Sequence, residues 1–310
     1  MPSARALAHM LGTLRLCRLL LPVQEPWISM EDLLRRKTSI SRSSEGDDGI
    51  KYDLYYNHRP GRSAWGLTIS DLYEEAYLED VRRWMLLHLP AVQVERLLSL
   101  ASLKDGRTGH VLAVGQREGS LLPKIKFYLQ ENQWDASGLT AGRLAAVTGP
   151  LGIVIPSWIG RIGVAALSAH PDGSTELKLY IGVSPGGEGA LPARLQELSR
   201  RMDVLSPADG DVKRYATVRL FPGREPSYSV NKIYNTLRLG FHAGLSEQKA
   251  AWADVSGLFQ GAGEREAFQA LRQRLLSTRG LLVLPTATAI DEEGGGVDLY
   301  LAGWEQRLLR

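Results

Sequence analysis

The chain has very few of the residues from which disulfides and soft-metal sites are built. Cys17 is its single cysteine among 310 residues, so no disulfide can form within the chain and a cysteine-based metal site is not expected. The six histidines show no metal-binding spacing. No stretch of 18 apolar residues occurs, so no membrane-spanning helix is predicted.

An excess of one charge is also missing. The net charge of +3 is too small to indicate a nucleic-acid partner by itself. Charged residues make up 23% and apolar residues 44%, which is ordinary for a globular protein with a sizeable core. Arginine outnumbers lysine about three to one, so an arginine-rich nucleic-acid binder stays open as an alternative, and it would show a steep salt dependence of binding. Because lysines are scarce, their positions are informative.

The N-terminal segment Ala6–Leu21 is apolar but is interrupted by Arg15 and Arg18. A signal peptide would place its positive charge before a continuous apolar stretch, so this interpretation is rejected and a cytoplasmic protein is expected. The pattern predicts an amphipathic helix that either packs on the body of the protein or is loosely ordered, and a membrane-surface role is the small remainder.

A short triplet, Lys178-Leu179-Tyr180, lies in an alternating run that follows a Pro-Asp-Gly turn, and this pattern is typical of a β-strand. Side chains two apart share a face of a strand, so the lysine and the tyrosine point the same way. Four of the nine lysines have a tyrosine two residues later, far more than chance would give. Related triplets begin at Lys126, Lys213, Lys232, Asp53 and Asp298. This recurrence predicts an internal repeat.

Hairpins and helices alternate along the chain at spacings of roughly 50 to 70 residues. The five predicted hairpins span residues 50–69, 110–130, 159–183, 212–239 and 281–302. Ten antiparallel strands with helices outside predict an α+β fold in which a closed barrel has no sheet edges. A ten-stranded barrel is wide enough to leave a solvent-filled lumen for a ligand. The predicted organisation is an N-terminal helical extension over 1–28 and a single barrel domain over 29–310.

Lysines and tyrosines that share one face can be interpreted in two ways. One copy alone most simply forms a solvated sheet face, but a repeated set in equivalent hairpins favours a lined chamber. Lysines that converge in a chamber repel one another unless an anion such as a diphosphate binds them. Tyrosine rings attract cations. The combination suits ionisation of an allylic diphosphate, in which lysines stabilise the leaving group, rings shield the carbocation, and a carboxylate takes a proton from an aromatic acceptor.

Several motifs, taken in order, resemble the aromatic prenyltransferases of the ABBA type, whose fold is the PT barrel, and most nearly their indole-prenylating dimethylallyltryptophan synthase family. The segment Gly49–Asn57 is similar to the family's first-strand motif, with Asp53 at the position of its glutamate. Leu112–Arg117 is similar to a strand that ends in a diphosphate-binding lysine. The later matches are Lys126 with Tyr128, Lys178 with Tyr180, Arg219–Gly223, Asn231–Tyr234 and Tyr300. The resemblance spans about Asp47 to Trp304.

The resemblance implies five αββα repeats and transfer of a dimethylallyl or geranyl group to an indole or another electron-rich aromatic, free or in a peptide. Asp53 is the implied base. The implied diphosphate ligands are Arg62, Arg117, Lys126, Lys178, Arg219 and Lys232, and the implied cation shield is Tyr128, Tyr180, Tyr234 and Tyr300. No Asp-Asp-x-x-Asp motif is present, so no cofactor is expected to be required, although Mg²⁺ binding is compatible with the family. A role in secondary metabolism such as alkaloid biosynthesis is also implied, for a monomer or homodimer without nucleic-acid or membrane partners.

Two departures from the family pattern stand out. Asp53 is one methylene shorter than the family's glutamate, and Glu176 occupies a position where the family often has an arginine. A second hypothesis, from a different class, is a non-catalytic barrel that binds a phosphorylated or aromatic ligand. The aspartate that faces the lysines favours an enzyme, because simple anion capture has no use for it.

Overall fold

The computed structural model describes most of the chain. The described residues are 4–22, 24–40, 52–59, 62–70, 75–103, 108–117, 120, 122–131, 139–160, 162–183, 192–205, 214–223, 228–236, 252–253, 255–291 and 296–309.

Ten antiparallel strands form a closed barrel, as predicted. They are β1 Tyr52–Arg59, β2 Arg62–Ile69, β3 Thr108–Arg117, β4 Lys124–Glu131, β5 Val164–Ala169, β6 Thr175–Val183, β7 Arg214–Leu220, β8 Tyr228–Thr236, β9 Leu281–Asp291 and β10 Val297–Glu305. Each strand pairs with the next along the chain, and β10 closes the barrel on β1. The five hairpin turns therefore lie at one end of the barrel, called here the hairpin end, and the connections to the helices lie at the other, the helix end.

Seven α-helices lie in the described part of the chain. They are α1 Ala4–Leu20, α2 Trp27–Ile40, α3 Glu75–Leu86, α4 Ala91–Leu98, α5 Ala141–Thr148, α6 Ala193–Leu205 and α7 Ala262–Leu276. Pro90 is the N-cap of α4 and separates it from α3, since proline fits the start of a helix but not its interior. None of these helices is both long enough and apolar enough to cross a membrane.

Several strand boundaries differ from the prediction by one to three residues, and the largest difference is in the fifth strand. The fifth strand was predicted to begin at Ile159, but β5 begins at Val164. Ile159 and Ile162 are buried all the same, as part of an irregular segment in which Ile162 bridges Leu139. An apolar run signals burial but does not by itself distinguish a strand from a packed loop.

Most of the core lies between the barrel and the helices. Outward-facing strand residues such as Leu54, Phe127 and Leu179 are fully buried there. Burial of apolar surface is worth about 25 cal/mol per Å², so this layer supplies the main driving force for folding. The lumen is thereby left to polar and aromatic side chains.

Helix α1 packs on the body of the protein, so the first of the two predicted alternatives is correct. His9 Nδ1 donates a hydrogen bond to the Gly303 carbonyl at 2.9 Å, and His9 Nε2 accepts one from the Tyr52 backbone N–H at 3.3 Å. The imidazole stacks on Trp304, with ring centroids 4.8 Å apart. A side chain at Gly12 would collide with the Trp304 backbone, so only glycine permits this approach.

Candidate active site

The lysine and tyrosine of the strand triplet face the lumen of the barrel. Leu177 and Leu179 on β6 are fully buried against the helical layer, and side chains alternate along a strand, so Lys178 and Tyr180 point inward. The same alternation turns other predicted site residues inward: Asp53, Lys126, Tyr128, Arg219, Lys232 and Tyr300. The predicted chamber is thus lined as the strand pattern indicated.

Glu176 is the centre of an ion-pair network near the hairpin end. Its Oε1 accepts a hydrogen bond from Lys124 Nζ. Its Oε2 accepts from Arg219 Nε at 2.6 Å and lies 2.5 Å from Arg219 Nη2. His170 Nε2 lies 3.4 Å from the same oxygen. Glu176 itself is only 2% exposed, so the carboxylate is buried among three basic groups from β4, β7 and the turn before β6.

This network shifts the pKa values of Glu176 and Lys124. Burial by itself would raise the pKa of Glu176, but His170, Lys124 and Arg219 together hold it well below its ordinary value. Burial, with a contribution from Lys126, lowers the pKa of Lys124 to about 7 despite the attraction of Glu176. Lys124 and Arg219 thus already have a carboxylate partner, Glu176, before any ligand binds.

A second buried pair joins β8 to β10. Lys232 Nζ donates to Asp298 Oδ2, and Asn57 Nδ2 on β1 donates to Asp298 Oδ1. Burial lowers the pKa of Lys232 although Asp298 acts in the opposite direction. Nearby, Arg59 on β1 forms an ion pair with Asp291 on β9 at 2.9 Å. Asp298 therefore ties three strands together across the point where the barrel closes.

Lys126 lies over an aromatic ring rather than beside a carboxylate. Its Nζ is 5.5 Å from the centre of the Tyr55 ring, within cation–π range. The Tyr55 ring lies over Gly66 and Gly115 on the next two strands, where any side chain would collide with it. Burial opposes the charge on Lys126, but the surrounding phenol and carboxylate groups, Tyr128 first among them, raise its pKa.

Lys178 is the most isolated of the lumen lysines. It is 5% exposed, and its Nζ is 5.6 Å from the centre of the Tyr180 ring. No carboxylate among the described residues comes within ion-pair distance of it. Burial is the main cause that lowers its pKa well below the ordinary lysine value, and Lys126 and Lys232 add to the effect.

Tyrosines and small apolar residues form the wall beside these lysines. The rings of Tyr128 and Tyr180 are 6.1 Å apart, and those of Tyr55 and Tyr300 are 5.8 Å apart. Tyr128 and Tyr180 pack with four small residues on β3 and β5, namely Val111, Ala113, Val164 and Ala166. Tyr180 and Tyr300 both contact a further cluster of Tyr215 and Ala289. The lumen wall thus combines tyrosine rings with small apolar side chains.

Asp53 is the second residue of β1 and lies near the helix end of the barrel. Thr286 Oγ1 donates a hydrogen bond to Asp53 Oδ1 at 2.9 Å. Thr286 is the extra residue of a β-bulge in β9, where the partner of β10 shifts from Ala287 to Pro285. Burial raises the pKa of Asp53 to about 6, and the Thr286 hydrogen bond limits the rise. This is the proton affinity that a general base working near neutral pH requires.

Three predicted residues stand apart from this arrangement. Arg117 ends β3 at the hairpin end, and its side chain is exposed. Arg62 and Tyr234 have their backbones in β2 and β8, but their side chains lie outside the described part of the structure.

The sequence did not predict several lumen residues that the structure brings into the site. Tyr55 and Asp298 belong to triplets of the predicted repeat, so the sequence contained a signal for both. Glu176 was noted as a departure, but its partners on β4 and β7 were not foreseen. Thr286 had no signal in the pattern apart from Pro285 beside it, because a bulge changes which residues share a face. In the portions of the chain that the structure describes, no three His, Cys, Asp or Glu side chains form a metal-binding group.

The sequence is too distant from characterised proteins for sequence comparison to place it. No family model matches it, and no curated protein does. Comparison with solved structures is informative for the fold.

Three solved structures illustrate the likeness. The 5-dimethylallyltryptophan synthase from Streptomyces coelicolor matches with a TM-score of 0.59 and 16% identity, covering 99% of this chain and 98% of that one. A ternary complex of the prenyltransferase PriB with L-tryptophan and dimethylallyl thiolodiphosphate matches with a TM-score of 0.61 and 19% identity, over 99% and 97%. A 6-dimethylallyltryptophan synthase matches with a TM-score of 0.64 and 14% identity, over 97% and 96%. Over nearly its whole length, this chain has the PT-barrel fold of these aromatic prenyltransferases.

Proposed function

We propose that this protein is an aromatic prenyltransferase that moves a dimethylallyl or geranyl group from its diphosphate to an electron-rich aromatic ring. An indole such as tryptophan is the proposed acceptor. The observation that carries the proposal is the lumen itself, in which buried lysines, tyrosine rings and one carboxyl group of raised pKa share a chamber.

The lysines are assigned to the diphosphate. Lys126 and Lys178 have no carboxylate within ion-pair distance among the described residues, so they are the lumen lysines left to pair with an anion. Arg219 and Lys232 are already paired, with Glu176 and Asp298 respectively, and would complete the site from its sides. Exposed Arg117 is assigned to first contact with the donor, and Arg62 is an additional proposed ligand.

The tyrosines are assigned to the carbocation. When the allylic C–O bond breaks heterolytically, its electron pair leaves with the diphosphate and the prenyl group becomes a cation. Ring faces stabilise such a cation by about 0.5–2 kcal/mol each and keep out water that would capture it. The Tyr180 ring lies beside Lys178 and 6.1 Å from the Tyr128 ring, the Tyr55 and Tyr300 rings form a second pair, and Tyr234 is proposed to join them.

Asp53 is assigned to the acceptor. The electron-rich ring attacks the prenyl cation and forms a C–C bond, and the ring carbon then loses its proton to the Asp53 carboxylate, which restores aromaticity. A carboxyl group with a pKa of about 6 is ionised at neutral pH and still basic enough for this step. Asp53 lies near the helix end and the ion-pair network near the hairpin end, so we assign the acceptor to the first region and the diphosphate to the second.

The neighbouring structures support this proposal at the level of fold. PriB was crystallised with L-tryptophan and dimethylallyl thiolodiphosphate, and a synthase from Micromonospora olivasterospora with the same type of donor analogue and tryptophan. Those ligands belong to proteins less than 20% identical to this one, so the donor and acceptor here have to be tested directly.

The test is an incubation of the purified protein with dimethylallyl diphosphate and a panel of tryptophan, other indoles and tyrosine derivatives, with and without Mg²⁺. Mass spectrometry should detect an acceptor heavier by one dimethylallyl group and inorganic diphosphate in equal amount. Asp53→Asn should bind the donor but form no prenylated product. Donor binding without transfer to any acceptor would favour the non-catalytic barrel, and no donor binding would remove the prenyltransferase proposal.

A further inference from the structure

Lys178 is a buried basic group, and the nearby carboxylates Glu176 and Asp298 already bind other side chains. Glu176, two residues away on the same face, accepts hydrogen bonds from Lys124 and Arg219 on its two oxygens. Asp298 is likewise bound by Lys232 and Asn57. Among the described residues, no other carboxylate lies within ion-pair distance of Lys178: Asp291 pairs with Arg59, and Asp53 lies near the helix end.

Apart from the Tyr180 ring, 5.6 Å from its Nζ, most of the remaining groups around Lys178 disfavour a charge on it. Ala166 on β5 and Arg219 on β7 are its cross-strand partners, and one of these is itself a cation. The ionisable side chains that face it are Lys124, Lys126 and Tyr128 on β4, Glu176 and Tyr180 on β6, Arg219 on β7 and Lys232 on β8. Four of these seven are basic, and burying an ammonium group among them without a partner is costly.

We propose that Lys178 is a neutral amine in the empty barrel and takes up one proton from solvent when the diphosphate of the donor binds. This rests on the proposed function and adds a coupled protonation to it. The bound diphosphate supplies the missing negative charge, and the proton converts the amine into an ammonium group that donates to a phosphate oxygen. The proton returns to solvent when the inorganic diphosphate leaves.

The coupling has a consequence for binding. Because the ligand-bound form holds one more proton than the empty form, diphosphate affinity falls as the pH rises through the range in which Lys178 is neutral when empty and charged when occupied. Lys126 does not share this behaviour, since Tyr128 and, less strongly, Tyr55, Glu176 and Asp298 favour its charge in the empty barrel. It offers a matched control in the same chamber.

The protonation state can be read from lysine Cε resonances. The chain has nine lysines, few enough to resolve in a protein labelled with ¹³C-lysine. Lys178→Arg assigns the Lys178 signal, and Lys124→Arg and Lys126→Arg assign the neighbours that must be told apart from it. In the ligand-free protein near neutral pH the Lys178 signal should have the shift of a neutral amine. Saturating inorganic pyrophosphate should move it to the shift of an ammonium group.

Calorimetry counts the protons independently. Pyrophosphate is titrated into the full chain in two buffers of different ionisation enthalpy, which yields the net proton number for binding. The wild-type protein should take up about one proton more than Lys178→Arg, whose guanidinium is always charged, while Lys126→Arg should match the wild type. Comparing variants cancels the protonation of the ligand itself.

The outcomes separate this inference from the proposed function. An ammonium shift for Lys178 in the ligand-free protein overturns the inference, as does an equal proton number for the wild type and Lys178→Arg. A complete lack of pyrophosphate binding instead removes the diphosphate site of the proposed function together with the uptake that depends on it. That failure is distinct, because the ligand-free Lys178 signal is recorded before any anion is added.

Discussion

Glu176 Oε2 accepts a hydrogen bond from Arg219 Nε at 2.6 Å and lies 2.5 Å from Arg219 Nη2, so one carboxylate oxygen receives the guanidinium edge. The same carboxylate binds Lys124 through its other oxygen. The Glu176 carboxylate therefore occupies part of the region that the sequence analysis assigned to the donor diphosphate. The charge left for the donor depends on whether Glu176 stays ionised.

Glu176→Gln should therefore weaken folding but strengthen anion binding. The cost to stability should be about 2 kcal/mol, below the 3–5 kcal/mol typical of a broken buried pair, because Lys124 and Arg219 are about 30% exposed and partly screened. Pyrophosphate affinity should rise by roughly tenfold, which corresponds to about 1.4 kcal/mol. Most of this gain should come from Arg219, because Lys124 loses in Glu176 the group that raises its pKa. Denaturant unfolding and pyrophosphate titration measure the two effects.

A matched control for this variant is Glu95→Gln. Glu95 pairs with Arg82 between α3 and α4, outside the barrel, and is largely exposed. It changes the net charge of the protein by the same amount without touching the lumen. Equal gains in pyrophosphate affinity from both variants would show that Glu176 acts only through the net charge.

The pH dependence of stability should also change in Glu176→Gln. The folded-state pKa of Glu176 lies below its ordinary value of 4.5, so the carboxylate stabilises the fold above about pH 4.5 and this contribution is lost as the pH falls toward the folded-state pKa. The wild type should therefore lose its stability advantage over Glu176→Gln on acidification from pH 6 to about pH 3. Parallel stability curves for the two proteins over this range would contradict the role given to the network.

The sequence predicted the parts of this site that depend on neighbours within one strand, but not the parts that depend on residues far apart along the chain. The inward direction of Lys178 and Tyr180 followed from alternation along a single strand, and copies of the triplet then predicted the barrel. The partners of Glu176 are 52 and 43 residues away, so their pairing depends on the register between strands. Periodicity within one strand carries no information on that register. The bulge that turns Thr286 toward Asp53 was hidden for the same reason.

Thr286→Val should move the acidic limb of the pH–activity profile to higher pH. In the wild type, kcat/KM should fall about tenfold per pH unit below about pH 6, because the base must be ionised. The Thr286 hydrogen bond favours the ionised form of Asp53, so its removal raises the Asp53 pKa. The measurement is kcat/KM for prenyl transfer against pH in both proteins.

Thr288→Val is the control for that experiment. Thr288 lies two residues further along β9, is buried, and its hydroxyl has no hydrogen-bond partner in the described structure. Its replacement should leave the acidic limb where it is in the wild type. An unchanged limb in Thr286→Val as well would mean that Asp53 is not the group that titrates in the profile.

Gly115→Ala should destabilise the barrel through a single atom, the hydroxyl oxygen of Tyr55. A Cβ at Gly115 would overlap that oxygen, while the next nearest ring atom is 3.1 Å away. Overpacking of this kind costs about 1–3 kcal/mol, so Gly115→Ala should unfold at lower denaturant concentration than the wild type. In a Tyr55→Phe background most of that loss should disappear, since the clashing oxygen is gone.

Gly66→Ala is the contrasting case: its Cβ would overlap ring carbons as well as the hydroxyl, so Tyr55→Phe should not rescue it. Denaturant unfolding of the six proteins gives both coupling energies, and equal rescue of the two alanine variants would show that the Tyr55 ring does not lie across these glycines.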